Sequence, residues 1–230
     1  MDWTLAVDIY CERTSAAFWA EPVNAISNAA FPMAALWAAI EARRRAVATP
    51  VLWLLIVMAA LIGVGSSLFH TFANRWSEYA DTIPIWSFVA LFVFTAIHQI
   101  GGVRPGRLMA IALGVGAVLT VVYLAADEGV GVVESADPLN GSGQYAPALM
   151  ALLIFAEGSV RRRHPMRYWI VGAALAFCAS LMFRTVDMAV CPQFPLGSHF
   201  IWHLLNGLMV GLLLQVLLRS PPQILAKAAA

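Results

Sequence analysis

The sequence predicts an all-α polytopic membrane protein, a bundle of seven transmembrane helices, and three observations predict it. Of the 230 residues, 61% are hydrophobic and only 12% are charged, about half the charged share of an ordinary soluble domain. The apolar residues form long continuous runs, whereas a transmembrane β-barrel would alternate polar and apolar residues. At about 20 residues for each span plus short connections, the chain has room for about seven helices.

Each predicted span is an apolar run long enough to cross the hydrocarbon core, and each is bounded by charged residues, Gly or Pro. In chain order the spans are 23–42, 50–71, 81–100, 108–126, 144–160, 168–187 and 199–218. The first run is retained as a helix because its basic cluster, Arg43 to Arg45, follows the apolar residues. A cleavable signal peptide has its positive charges before them.

The basic residues predict the orientation of the bundle. Of the 14 Lys and Arg residues, 11 lie in the connections after the first, third and fifth spans or in the C-terminal tail. The positive-inside rule therefore places the N-terminus outside and the C-terminus in the cytoplasm. We expect a multi-pass protein of a bacterial inner membrane, with an extracytoplasmic segment at 1–22, a transmembrane domain at 23–218 and a cytoplasmic tail at 219–230.

Ionisable side chains within the spans gather at one depth, near the outer face. His70 ends the second span, Asp81 opens the third, and His199 and His203 open the seventh. Such residues are costly in a membrane and mark functional sites. His199 and His203 are four residues apart, so they share one helical face and can supply two metal ligands. Ser66 stands in the same relation to His70, which directs its hydroxyl to the same place.

Three histidines with an open fourth position are the ligand set of a catalytic zinc, which lowers the pKa of its bound water to about 7. Asp81 is then the predicted general base for that water. Packed, hydrogen-bonded histidines are the structural alternative. The metal site is favoured because three of only five histidines in the chain lie at one depth beside an Asp and a Ser. The site is predicted to face the periplasm.

The N-terminal segment carries a cysteine and several carboxylates. Cys11 and Cys191 both fall outside, where disulfides form, and a bridge between them would tie this segment to the loop before the last span. Asp8, Glu12 and Glu21 lie just before the membrane. A solvated acidic face is the ordinary interpretation of these carboxylates, and a site for a hard cation such as Ca²⁺ is the functional one.

These residues together resemble the alkaline ceramidase family, within the group of seven-helix zinc-dependent membrane hydrolases that includes the adiponectin receptors. The matching stretches are 10–12, 20–28, 65–70 with Asp81 and Pro84, and 197–205. Ser-x-x-x-His, an Asp eleven residues later and a late His-x-x-x-His are specific in combination, although each alone is weak.

The resemblance implies a zinc amidase that cleaves the N-acyl bond of ceramide to a sphingoid base and a free fatty acid. Its zinc ligands, its proton-transfer acid and its oxyanion-stabilising hydroxyl map to His70, His199, His203, Asp81 and Ser66. The family also pairs an N-terminal Cys with one before the last helix, in agreement with Cys11 and Cys191.

A calcium site is a further implication of the resemblance, and its acids map to Glu12 and Glu21. The family pattern has an Asp two residues before the Cys and an Asn three residues after it. Here those places hold Ile9 and Thr14, and Asp8 lies three residues before Cys11 instead of two. The cofactors implied are therefore Zn²⁺ and Ca²⁺.

Two alternatives stay open: a seven-helix zinc-containing receptor, and a hydrolase of another N-acylated bacterial lipid. A retinal protein is excluded because the only lysine, Lys227, lies in the tail. We expect a lipid substrate that enters from the bilayer, and no nucleic-acid partner.

Overall fold

The structure, a computed structural model, describes residues 2–47, 49–126 and 137–220. Over these ranges the chain is all-helical without a β-strand, so the all-α part of the predicted fold class is confirmed. One isolated antiparallel bridge joins Ala6 to Asn74. The acids Asp127, Glu128 and Glu134 and most of the predicted tail, 221–230, lie outside the described residues.

Eight α-helices make up the described chain. They are α1 (Pro22–Ser27), α2 (Ala30–Arg44), α3 (Pro50–Phe72), α4 (Arg75–Gln99), α5 (Pro105–Ala126), α6 (Ala146–Arg161), α7 (Arg167–Val190) and α8 (His199–Arg219). Proline begins α1, α3 and α5, at the position where a helix needs no backbone N–H. Asn74 begins α4 with a capping box, since its side chain accepts from the Ser77 N–H while the Ser77 hydroxyl accepts from the Asn74 N–H.

Among the described residues, five helical segments are long and apolar enough to cross a membrane, which fits a multi-pass membrane protein. They are Pro22–Arg44, α3, α4, α7 and α8. The fifth predicted span coincides with α6, which has only 16 residues. The outer face of α3 carries Leu54, Val57, Leu61 and Val64, each about half exposed. An apolar stripe of this kind is suited to lipid rather than water.

The first predicted span, 23–42, is interrupted in the structure. α1 ends at Ser27 and α2 begins at Ala30. Pro32 has no N–H to offer the carbonyl of Asn28, which accepts instead from Phe31 at 3.1 Å in a tighter turn. The third span also differs, because its helix begins at Arg75, so that Asp81 lies in the second helical turn rather than at the start.

The bundle places α3, which carries His70, and α8, which carries His199 and His203, against α2. α7 packs along α8 and α3 along α4, while α2 contacts both α8 and α3. A Cβ on Gly207 would lie 2.5 Å from the Cβ of Ala30, so glycine permits the close approach of α8 to α2. The last turn of α3 therefore meets the first turns of α8.

Candidate metal centre

The structure brings the three predicted histidines together. The Nε2 atoms of His70 and His203 are 3.1 Å apart, and one ring nitrogen of each histidine lies within 4.8 Å of the other two. His70, His199 and His203 are 1%, 1% and 0% exposed. Within the described ranges this is the only such group of three or more His, Cys, Asp or Glu ligand atoms.

Two of the imidazoles are held by polar groups near the N-terminus. The Nδ1 atom of His70 lies 2.6 Å from Oε2 of Glu21, and the Nδ1 atom of His203 lies 2.7 Å from Oγ of Ser27. Both contacts engage the nitrogen remote from the other ring. In metal sites a partner at this nitrogen fixes the orientation and tautomer of the ligating histidine. Glu21 and Ser27 therefore orient the two rings.

The third imidazole, His199, is held by stacking. Its ring centroid lies 3.6 Å from that of Tyr10, with 17° between the planes, and 5.2 Å from that of Trp202. The Nδ1 atom of His199, Oγ of Ser66 and Oδ1 of Asp81 are buried without a hydrogen-bond partner in the structure. Unpaired buried polar atoms are costly. Three imidazole nitrogens beside unpaired polar groups fit zinc with an open coordination position.

Ser66 and Asp81 come together because α3 and α4 touch where these residues lie. A Cβ on Gly65 would lie 2.0 Å from the carbonyl oxygen of Ala80 and 3.3 Å from the Cα of Asp81. Only a residue without a side chain allows this approach. Ser66 is buried and Asp81 half-buried, and Asp81 lies outside the group of close ligand atoms. This position suits a residue that acts on bound water rather than on the metal.

Cys11 and Cys191 form a disulfide in the structure, with their Cα atoms 5.5 Å apart. Fully buried Asp187 reinforces this connection, because its carboxylate accepts from the backbone N–H groups of Cys11 (3.0 Å), Ser198 (2.7 Å) and His199 (2.9 Å). The N-terminal segment is thereby joined to the first turn of α8, which positions His199.

Among the described residues, the predicted calcium ligands Asp8, Glu12 and Glu21 do not belong to a group of close ligand atoms. Both oxygens of Glu12 accept backbone N–H groups, from Val23 at 2.7 Å and Asn24 at 2.8 Å. Burial raises the pKa of Glu12, and these two hydrogen bonds only partly oppose it. They stabilise the first turn of α1, and each uses one of the two acceptor sites on its oxygen.

Glu21 is paired with a cation that the chain itself provides. Its Oε1 accepts from Nε of Arg13 at 2.5 Å, and both side chains are buried. Burial acts to raise the pKa of Glu21, but the contacts with His70 and Arg13 outweigh it and hold the pKa below its usual value. Asp8 is exposed. The donors Asp8, Glu12 and Glu21 therefore do not fit Ca²⁺ in this arrangement.

An apolar cavity of about 810 Å³ lies next to the metal centre. α4, α6 and α8 line most of it, including Phe88, Phe92, Leu152, Phe155 and Leu213. One end is formed by Tyr145 and by Trp202, which stacks on His199. Its volume is within the range of sites for small ligands. Trp202 therefore both lines the cavity and contacts a histidine of the centre.

Several residues around the centre are not singled out from the sequence: Tyr10, Ser27, Arg184 and Asp187. The contacts of Tyr10 and Ser27 depend on how the N-terminal segment folds over α8, and they have no local signal. Arg184 and Asp187 do carry a signal, since both are charged residues within the sixth predicted span.

No curated protein gives a significant match to the chain. A family model described as Ceramidase matches residues 7–220. The matched range contains the three histidines, Ser66, Asp81 and all the helices of the structure. The chain therefore belongs to the ceramidase family.

Proposed function

We propose that the protein is a zinc-dependent membrane amidase that hydrolyses the N-acyl bond of ceramide, releasing a sphingoid base and a free fatty acid. Membership of the ceramidase family implies a hydrolase that acts on the amide bond of a lipid. The observation that carries the proposal is the buried group of three histidines beside Trp202, which lines an apolar cavity.

His70, His199 and His203 would hold the zinc, which when bound activates water and polarises the amide carbonyl. Asp81 takes a proton from the attacking water and delivers it to the leaving amine, which would otherwise depart as an unstable anion. Ser66 donates a hydrogen bond to the carbonyl oxygen as negative charge develops there. A single donor of this kind is typically worth about 3 kcal/mol.

The fold suggests how the substrate reaches these residues. The acyl chain would occupy the cavity between α4, α6 and α8, entering laterally from the bilayer because it is insoluble in water. The amide would then lie beside Trp202 and the histidines. With α5 and α6 counted among seven spans and the N-terminus outside, the site faces the periplasmic side of a bacterial inner membrane, and residues 219–230 lie in the cytoplasm.

The test is hydrolysis of ceramide by the purified full-length protein, with and without a chelator, measured as released fatty acid. We expect one zinc per chain, loss of activity with the chelator and recovery on adding zinc. A triple alanine variant of His70, His199 and His203 should contain no zinc, whereas His98→Ala, remote from the centre, should keep it. Stoichiometric zinc in the triple variant would overturn the proposal.

A further inference from the structure

Arg184, in α7, is a buried cation that the proposed reaction does not use. It is only 5% exposed and lies within a membrane-spanning segment, where a charge is costly unless it is paired. Yet none of the ion pairs among the described residues includes Arg184. Its positive charge therefore has no carboxylate in contact with it over these ranges.

The groups that surround Arg184 are aromatic and neutral. Its Nη1 donates to the hydroxyl of Tyr10, and a phenol with an ordinary pKa of about 10 is uncharged at neutral pH. The guanidinium carbon lies 5.3 Å from the ring centroid of Tyr10 and 5.6 Å from those of Tyr145 and Trp202. Its Nε is buried and donates to no described group. The aromatic rings lower the cost of burial but do not neutralise the charge.

The two nearby carboxylates do not neutralise it by contact. Asp187, three residues along α7, is fully engaged by three backbone N–H groups. Asp81 interacts with Arg184 through space but makes no ion pair with it. Arg184 thus keeps both a free charge and a free donor.

The position of Arg184 connects it to the bound lipid. Tyr10 and Trp202 stack on His199, and Tyr145 and Trp202 form the end of the apolar cavity. Arg184 therefore lies against the aromatic rings that separate the metal centre from the cavity. A guanidinium matches the geometry of carboxylate, phosphate and sulfonate oxygens, to which it can donate two parallel hydrogen bonds.

We propose that Arg184 binds an oxyanion group of the lipid in the site. This inference rests on the proposed function, and it narrows the lipids that the site binds to those with an oxyanion group. The oxyanion can come from two sources: an acidic headgroup on the substrate, or the carboxylate of the fatty-acid product. In either case the lipid supplies the negative charge that the described residues do not place in contact with Arg184.

The test compares wild type with Arg184→Gln and Arg184→Lys, using Arg161→Gln, an exposed arginine on α6, as the control. One arm measures kcat/KM for ceramide and for ceramide 1-phosphate of the same chain lengths. The other arm measures binding of octadecanoic acid and of octadecanol by tryptophan fluorescence. We expect wild type to favour the anionic member of at least one pair by about tenfold or more. Arg184→Gln should lose that preference, Arg184→Lys should keep part of it, and Arg161→Gln should keep all of it.

The two arms identify the source of the oxyanion. A preference for ceramide 1-phosphate that Arg184→Gln removes assigns the oxyanion to the headgroup. A preference for octadecanoic acid over octadecanol that Arg184→Gln removes assigns it to the product. The inference is overturned if wild type hydrolyses ceramide and ceramide 1-phosphate equally well and binds octadecanoic acid and octadecanol equally tightly. It is also overturned if Arg184→Gln keeps the wild-type preference. If Arg184→Gln does not fold, Arg184→Lys supplies the comparison, because lysine keeps the positive charge but cannot donate two parallel hydrogen bonds. If no lipid is hydrolysed, the proposed function fails while the binding arm stands.

Discussion

Removal of Arg13 tests whether an internal cation takes the place of calcium in the N-terminal segment. The Arg13 guanidinium pairs with Glu21 at 2.5 Å and donates to the backbone oxygens of Ser15 (3.2 Å) and His70 (3.0 Å). Arg13→Met keeps much of the apolar length of the side chain but leaves the carboxylate of Glu21 buried with one oxygen unpaired. Glu21 then keeps its contact with His70 through Oε2 but has no cation at Oε1.

The magnitude follows from burial. The side chains of Arg13 and Glu21 are 5% and 3% exposed, and removing one partner of a buried ion pair costs about 3 to 5 kcal/mol. For a chain of this length that corresponds to a fall in Tm of roughly 6 to 20 °C. The control is Arg75→Met, because Arg75 and Glu78 form a pair whose side chains are 39% and 33% exposed. Such a pair contributes at most about 1 kcal/mol, or about 4 °C.

The assay is thermal unfolding of the purified proteins in detergent, followed by tryptophan fluorescence, with millimolar Ca²⁺ or with EGTA. We expect Ca²⁺ to leave the wild-type Tm unchanged, since Arg13 already occupies Glu21, and we expect Arg13→Met to unfold well below Arg75→Met. A wild-type Tm that rises with Ca²⁺ would refute the reasoning. So would an Arg13→Met variant no less stable than its control.

Three further predictions concern the metal centre and its supports. His203→Ala should lose both zinc and hydrolytic activity, measured by metal analysis and fatty-acid release; retained zinc would contradict the ligand assignment. Ser27→Ala should weaken zinc binding by about tenfold to a hundredfold, measured by competition with a chelator, and unchanged affinity would remove its orienting role. Gly197→Ala should lower the Tm, because residue 197 has φ +64° and a Cβ there would lie 2.2 Å from Oδ1 of Asp187; Gly106→Ala, with open space around it, should not.

The convergence of the histidines was predictable because it needs only two regularities. Helical spacing places His199 and His203 on one face, and the alternation of spans brings the C-terminal end of α3 to the depth at which α8 begins. Neither regularity depends on how the helices pack in detail. The groups that hold the histidines were less predictable, because Glu21 is 49 residues from His70 and Ser27 is 176 residues from His203.

The calcium prediction shows a different limit of sequence reasoning. It counted the carboxylates at Asp8, Glu12 and Glu21 but not the competing partners, which are Arg13 and the N–H groups at the start of α1. Those partners become visible only when the segment is folded against α3. The helix break at Asn28, by contrast, has a signal in the sequence, because Pro32 lacks the N–H that would donate to the carbonyl of Asn28.

The ligands of the candidate metal centre come from distant parts of the chain, since His70 and His203 are 133 residues apart. Bringing two such distant points together costs conformational entropy that local helix formation cannot offset. An ion bound by both histidines would link α3 to α8. Its binding free energy would add to the free energy of folding. Because α8 carries His199 and His203, a chain in which α8 has not yet packed against α3 lacks two of the three ligands. The metal centre is therefore complete only when α8 is in place.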